Sequence, residues 1–243
     1  MELKKDIKGI IFDYGGTLDS GGDHWSEVIW AAWKKAGVPA DKDTFREAYV
    51  WTERELARTR HIMPDHNFLD LLRIKMRLEL EELVRIYERR GEDSGGLQGS
   101  LARFAEETAQ TCYAAARGWI EKSRPVLEYL SSRYPLVLVS NFYGNVETVL
   151  ADFGLSGYFR SVIESAVVGV RKPDPAIFGL GVKALGLEPD EVLVVGDSLT
   201  KDILPAESLG CSTAWLKGKG WTAEEDAREH PSRISTLGEL MSL

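Results

Sequence analysis

Two cysteines, Cys112 and Cys211, in 243 residues are too few for a disulfide framework. They also lack the paired short spacing of a zinc site, so both read as buried thiols of a reducing compartment. No apolar run approaches the ~18 residues that a membrane-spanning helix requires. The first residues carry Lys4-Lys5 but neither an apolar signal core nor a small-residue cleavage site. Positive charge is scarce: 30 Lys and Arg stand against 38 Asp and Glu, a net charge of −8 with no basic stripe. That excludes a primary role on nucleic acid or on an anionic membrane surface. Internal repeats and low-complexity tracts are missing as well. These absences lead to the expectation of a cytoplasmic protein, monomer or homodimer, whose partner is a small molecule.

What is present is ordinary in bulk and specific in detail. A hydrophobic content of 44% and a charged content of 28% suit a globular chain. The length suits one large domain or two modest ones with a substantial core. The chain is organised around residues 7–19, IKGIIFDYGGTLD. The apolar residues Ile10, Ile11 and Phe12 end at Asp13, and Gly15-Gly16 and Thr17 follow at once. A short apolar run closed by glycines reads as a buried strand. Its terminal carboxylate then lies at the carboxyl end of a sheet, where open α/β sheets bind ligands.

From Asp23 to about Trp119 the pattern is helical. Trp25, Val28, Ile29, Ala32 and Ala36 recur at helical spacing, with Gly37 placed to end the helix. Residues 44–59 predict a second helix. A third, capped by Asp65 or Asn67, carries Phe68, Leu71, Leu72, Leu83, Val84 and Tyr87, with a break between Met76 and Glu81. Glu92–Gly99 reads as a loop, and a fourth helix runs from Leu101 to about Arg117. His24, His61 and His66 read as packing or surface groups, although His24 lies close to Asp13. Lys75 and the group Trp25, Trp30, Trp33 and Trp51 read as helix surface and core, with some indoles available to line a pocket.

After residue 120 strands and helices alternate. Pro125 suits the first turn of a helix. Leu136–Val139 is a strand ending in Ser140-Asn141, Ser161–Ile163 is a short strand, and Glu191–Val195 is a strand ending in Gly196-Asp197. A further strand spans Thr213–Leu216. Helices are expected at 146–153, after the cap Asp174-Pro175, near 203–208, and in the tail from Ser235. The alternation predicts an α/β fold, a doubly wound parallel sheet. Strand 7–12 joins that sheet, so 1–19 and 120–243 form the α/β core and 20–119 an inserted α-helical cap.

In a parallel sheet the carboxyl ends share one edge. Asp13, Ser140, Asp197 and Lys172 thereby converge from distant parts of the chain. Two carboxylates and a backbone carbonyl suit an octahedral Mg²⁺. Lys172 and Ser140 suit a phosphoryl group. Asp13 is then a nucleophile that splits phosphoryl transfer through an aspartyl phosphate.

The arrangement resembles the haloacid dehalogenase superfamily over the whole chain, with a Rossmann-like core. The first motif of that family, D-x-D-x-T, is matched by Asp13-Tyr14-Gly15-Gly16-Thr17, and the second by Ser140. The third is Lys172 in Lys172-Pro173-Asp174-Pro175, and the fourth is Gly196-Asp197 with Asp202. The resemblance implies a Mg²⁺-dependent hydrolase of a phosphorylated small molecule. Asp13, the Gly15 carbonyl and Asp197 hold the metal with Asp202 behind them. Ser140, Asn141, Lys172 and Thr17 hold the phosphoryl group. One departure matters: the second Asp of the first motif is Gly15. In the family's phosphatases that Asp protonates the leaving group, and such a group is worth ~10²–10⁴ in rate. The alternatives are a phosphonate C–P hydrolase using a cap lysine, a dehalogenase, a phosphatase whose proton comes from His24, Asp19 or a cap side chain, or a catalytically weak ligand-binding protein.

Overall fold

A computed structural model describes residues 6–94 and 96–243. The Lys4-Lys5 stretch and Gly95 of the expected loop lie outside them. Strand β1 (Gly9–Phe12) is followed by four long helices: α1 (Trp25–Ala36), α2 (Lys42–Arg58), α3 (Phe68–Arg90) and α4 (Leu97–Ser131). An alternating half follows, with β2 (Leu136–Ser140), α5 (Val146–Asp152), β3 (Ser161–Glu164), α6 (Ser165–Val168) and α7 (Ala176–Leu185). It continues through β4 (Val192–Gly196), α8 (Leu204–Ser208), β5 (Ser212–Leu216), α9 (Ala223–Ala227) and β6 (Arg233–Ile234). The six strands form one parallel sheet in the order β3-β2-β1-β4-β5-β6. β1 therefore sits near the centre, as expected of the α/β fold, between β2 and β4.

The centre of the sheet is buried on both faces, which is why its strands are continuous apolar runs. Alternate side chains point to opposite sides. Ile10 and Phe12 pack with Leu136, Leu138 and α4, whereas Ile11 packs with Val137, Val139 and Phe178 of α7. In β1, β2 and β4 polar residues appear only at the carboxyl ends or just beyond them.

In the helical layer one of the two expected caps of α3 is found, and two helices run on where the sequence predicts breaks. Asn67 is the cap of α3: its side chain accepts from Asp70 N–H while the Asp70 carboxylate accepts from Asn67 N–H. The helix then runs unbroken through 76–81, because Met76, Leu80 and Leu83 keep the buried stripe in phase. More notably, α4 is one 35-residue helix with Pro125 inside it. Proline removes a donor and crowds the preceding turn at a cost of ~3 kcal/mol. Here the buried stripe Phe104, Thr108, Cys112, Ala116, Ile120, Ser123, Leu127 and Leu130 passes straight through the proline, so packing overrides the local signal. The boundary drawn at 119/120 falls inside this helix, which packs in the helical layer and reaches the sheet. Ser123 Oγ donates to Leu18 O at 2.9 Å, tying α4 to the chain just after β1.

Three elements had no sequence expectation: α6, α9 and the two-residue β6. Ser198 begins a wide π-type turn over Leu199–Ile203 that leads into α8. The turn matters because it carries Asp202 back towards β4.

Candidate active site

Asp13 follows the last residue of β1, and its N–H donates to Val195 O of the neighbouring β4 at 2.9 Å. That bond aligns the tips of β1 and β4, so Asp13 and Asp197 leave the sheet side by side. Gly16 makes the approach possible. Its φ is +96°, and a Cβ there would lie 2.4 Å from Asp197 Cγ. Only glycine fits such a left-handed residue against a carboxylate. Asp13, Asp197 and Asp202 each offer an oxygen, all within 4.8 Å of one another.

Lys172 stands among these carboxylates. Its Nζ donates to Asp13 Oδ1 and to Asp202 Oδ1, both at 2.6 Å. Burial works against its charge, but Asp13 and Asp202 outweigh it and hold the ammonium above the ordinary lysine value. Three carboxylates against one ammonium still leave two negative charges. Burial first, then the charges of Asp202 and Asp13, hold the Asp197 carboxyl well above the usual range. Asp202 is raised as well, by burial ahead of Asp13. A hard, oxygen-only donor set with surplus negative charge is the chemistry that Mg²⁺ selects.

The remaining expected residues divide. Ser140, at the end of β2, is buried and lines the same cavity as Asp13, Lys172 and Asp197. Thr17, expected at the phosphate, is fully buried instead; its hydroxyl lies 3.4 Å from Asp13 Oδ2 and 3.2 Å from Asp197 Oδ1. It bridges the two carboxylates. Asn141 was also expected at the phosphate. Both polar ends of its side chain are spent on the Lys172 peptide: Oδ1 accepts from Lys172 N–H at 2.9 Å and Nδ2 donates to Lys172 O at 3.1 Å. It does not cap the next helix either, where the Glu164 carboxylate accepts from Gly144 and Val146 N–H. Asn141 acts by placing Lys172. Asp202 Oδ2 accepts from Ser198 N–H at 3.0 Å, which fixes its orientation.

A cavity of about 180 Å³ separates the strand tips from the helical layer. Its far wall holds groups that the sequence had hidden. Lys75, read as helix surface, is 5% exposed and pairs with Glu53 of α2. Burial opposes the ammonium, but Glu53 holds its pKa well above the ordinary value. Tyr143 O–H lies 3.2 Å from both Glu53 oxygens. Trp25, Phe68, Leu71 and Leu72 supply the apolar part. One signal was legible: Lys75 falls at helical spacing from Leu71 and Leu72, on the buried stripe rather than opposite it.

At Gly15 a Cβ would meet, within 4 Å, only Trp25 Nε1 at 4.0 Å. Nothing steric demands glycine there. Near it lies Asp19, 1% exposed. Its Oδ1 accepts from Gly16 N–H at 2.8 Å, and both its oxygens lie 3.1 Å from Trp25 Nε1. His24 is the N-cap of α1: Nδ1 accepts from Ser26 N–H at 3.2 Å. Burial first, then Lys201, pushes its ring down to about 4.

Parallel strands that end in two aligned aspartates, with a lysine and a third carboxylate returned by a wide turn, define a hydrolase class. The family model of haloacid dehalogenase-like hydrolases matches residues 7–210, and the chain belongs to that family. Phosphoserine phosphatase of Thermus thermophilus is 26% identical over 162 residues, 64% of this chain and 62% of that one. The chain thus spans under two thirds of that relative's length. Phosphoglycolate phosphatase of Yersinia pestis is 26% identical over 234 residues, 95% of this chain and 89% of that one. Among solved structures, the putative hydrolase YfnB of Bacillus subtilis, bound to magnesium, has the same fold. Its TM-score is 0.58 at 17% identity, over 98% of both chains. Among the described residues no helix is long and apolar enough to cross a membrane.

Proposed function

We propose that the protein is a Mg²⁺-dependent hydrolase of a small phosphorylated molecule, acting through a phosphoryl group carried on Asp13. The observation that carries this reading is Lys172 held at 2.6 Å from both Asp13 and Asp202, with Asp197 alongside. The ammonium pairs with Oδ1 of Asp13 and leaves Oδ2, 3.4 Å from the Thr17 hydroxyl, without a cation. That oxygen is placed to attack phosphorus. Asp13, the Gly15 carbonyl, Asp197 and Asp202 would hold the Mg²⁺, which when bound neutralises the phosphoryl oxygens and draws them to Asp13. Lys172 and the Ser140 hydroxyl are the donors that hold the group in line. The helical segment 20–119 is the cap over this site, and its Lys75 and Glu53, with Tyr143 from the loop after β2, select the rest of the substrate.

The phosphatases among the relatives support the class of substrate. Phosphonate cleavage by a cap amine is disfavoured, because Lys75 is kept cationic by Glu53 and a cationic amine is no nucleophile. Dehalogenation needs no metal, whereas the surplus carboxylates suit one. Cytoplasmic placement, a small-molecule partner and a monomeric or homodimeric state complete the proposal. The test is turnover of p-nitrophenyl phosphate and acetyl phosphate. Activity is expected with Mg²⁺, to vanish with EDTA and in Asp13→Asn, and to return when Mg²⁺ is restored. Turnover indifferent to both EDTA and Asp13→Asn overturns the reading.

A further inference from the structure

Transfer of a phosphoryl group from an alcohol to Asp13 leaves an oxygen that needs a proton, and release by water needs a base. Gly15 has no side chain to offer, and Lys172 is engaged by two carboxylates. Other titratable groups line the cavity, among them His24, Glu53, Lys75, Tyr143 and Asp19. His24 is held neutral as a helix cap. Glu53 is kept ionised: burial opposes this, but Lys75 wins. Lys75 is held cationic by Glu53. The Tyr143 hydroxyl is turned to Glu53, and burial raises its pKa above that of an ordinary phenol.

Asp19 is different. It lines the same cavity as Asp13 and Gly15. Among the described residues no cation pairs with it; its partners are a backbone N–H and an indole N–H. The indole nitrogen that bridges its two oxygens is also the atom that a Cβ on Gly15 would face at 4.0 Å. The carboxyl of Asp19 therefore lies one indole nitrogen away from the space left open at position 15.

We propose that Asp19 is the general acid and base of this site, reaching the reacting oxygens through the space beside Gly15. The proposal rests on the reading of Asp13 as the nucleophile. In the first step Asp13 Oδ2 bonds to phosphorus, the P–O bond to the substrate breaks, and the Asp19 proton passes to the departing oxygen, giving the free alcohol. In the second, water bonds to phosphorus and gives a proton to the Asp19 carboxylate. The P–O bond to Asp13 breaks, and inorganic phosphate leaves. The ionisation of Asp19 suits both steps. Burial raises it to about 7, against the Gly16 and Trp25 hydrogen bonds that lower it, and Asp13 adds to the rise. The groups that bear on it are Asp13 at the tip of β1 and the uncharged Tyr14 in the following turn; from α1 it meets the uncharged indole of Trp25.

The experiment compares kcat/KM with Mg²⁺ for phenyl phosphate, whose leaving oxygen needs a proton, and dinitrophenyl phosphate, whose leaving oxygen does not. Asp19→Asn is expected to cost ~10²–10⁴-fold on phenyl phosphate and under about tenfold on dinitrophenyl phosphate. Adding Gly15→Asp to Asp19→Asn is expected to recover at least about tenfold on phenyl phosphate. A donor must be protonated, so kcat/KM for phenyl phosphate falls as pH rises through about 7. Trp25→Phe removes a bond that lowers the Asp19 pKa and moves that falling limb to higher pH; this measurement decides the matter if Asp19→Asn does not fold. Equal losses on both esters, no loss on phenyl phosphate, or an unmoved limb in Trp25→Phe overturns the assignment. If the wild type hydrolyses neither ester, or Asp13→Asn hydrolyses both, the phosphatase reading falls instead.

Discussion

Replacing Lys172 by methionine keeps the side-chain volume and removes the charge. At 2.6 Å and an effective dielectric of about 20, each of its two ion pairs is worth about 6 kcal/mol before desolvation. Most of that offsets the burial of a 3% exposed ammonium. What remains after the change is the unpaired set Asp13, Asp197 and Asp202. Breaking a buried pair in this way costs about 3–5 kcal/mol. For a chain of this size that is roughly 6–20 °C in Tm. The pH dependence carries the sign. Asp197 and Asp202 are already raised in the folded state, and loss of the ammonium raises them further. A carboxylate whose folded pKa lies above its unfolded value destabilises above the unfolded value, and the penalty fades as pH falls towards about 4. Calorimetry is therefore expected to show a large Tm gap between wild type and Lys172→Met at pH 8 and a smaller one at pH 5. A gap under about 2 °C at pH 8, or one that widens on acidification, would refute the role given to Lys172.

Three further outcomes follow from the same geometry. Gly15→Ala should shift stability by less than about 1 kcal/mol, whereas Gly16→Ala should lose at least 2 kcal/mol and all Mg²⁺-dependent turnover, because its Cβ would press on Asp197 at +96°; denaturant melts of the pair check this. Asn141→Ala removes two bonds to the Lys172 peptide and should cost about 1–3 kcal/mol, with kcat falling more than KM changes. Glu53→Gln removes the charge facing Lys75 and should alter KM among phosphate esters while leaving turnover of the smallest, acetyl phosphate, within about threefold; steady-state kinetics over an ester panel measures it.

The α/β half was legible because its strands are buried on both faces. Ile10–Phe12, Leu136–Val139 and Val192–Val195 are unbroken apolar runs, each followed within two residues by a polar one, so the strand tips named the convergent set. Elements held by longer-range packing were not legible. Pro125 signals a helix start, and only the stripe through Ile120 and Leu127 shows that α4 continues. Lys75 signals surface by its charge although its spacing puts it on the buried stripe, and the partner that lets it be buried, Glu53, is on a different helix. The resemblance places Asn141 and Thr17 at the phosphate. What each touches is decided by neighbours 31 and 180 residues away, which spacing does not reveal. The acid–base gap at Gly15 was visible, but the indole contact that places Asp19 beside it exists only in the fold.

The measurement closest to the central claim is acid-quenched single turnover of a phosphate ester with Mg²⁺, followed by peptide mapping. A phosphoryl group is expected on the peptide containing Asp13, to be absent in Asp13→Asn, and to accumulate further in Asp19→Asn if the base that releases it is gone. Steady turnover of the ester without any phosphoryl group on Asp13, or with one on another residue, would contradict the account.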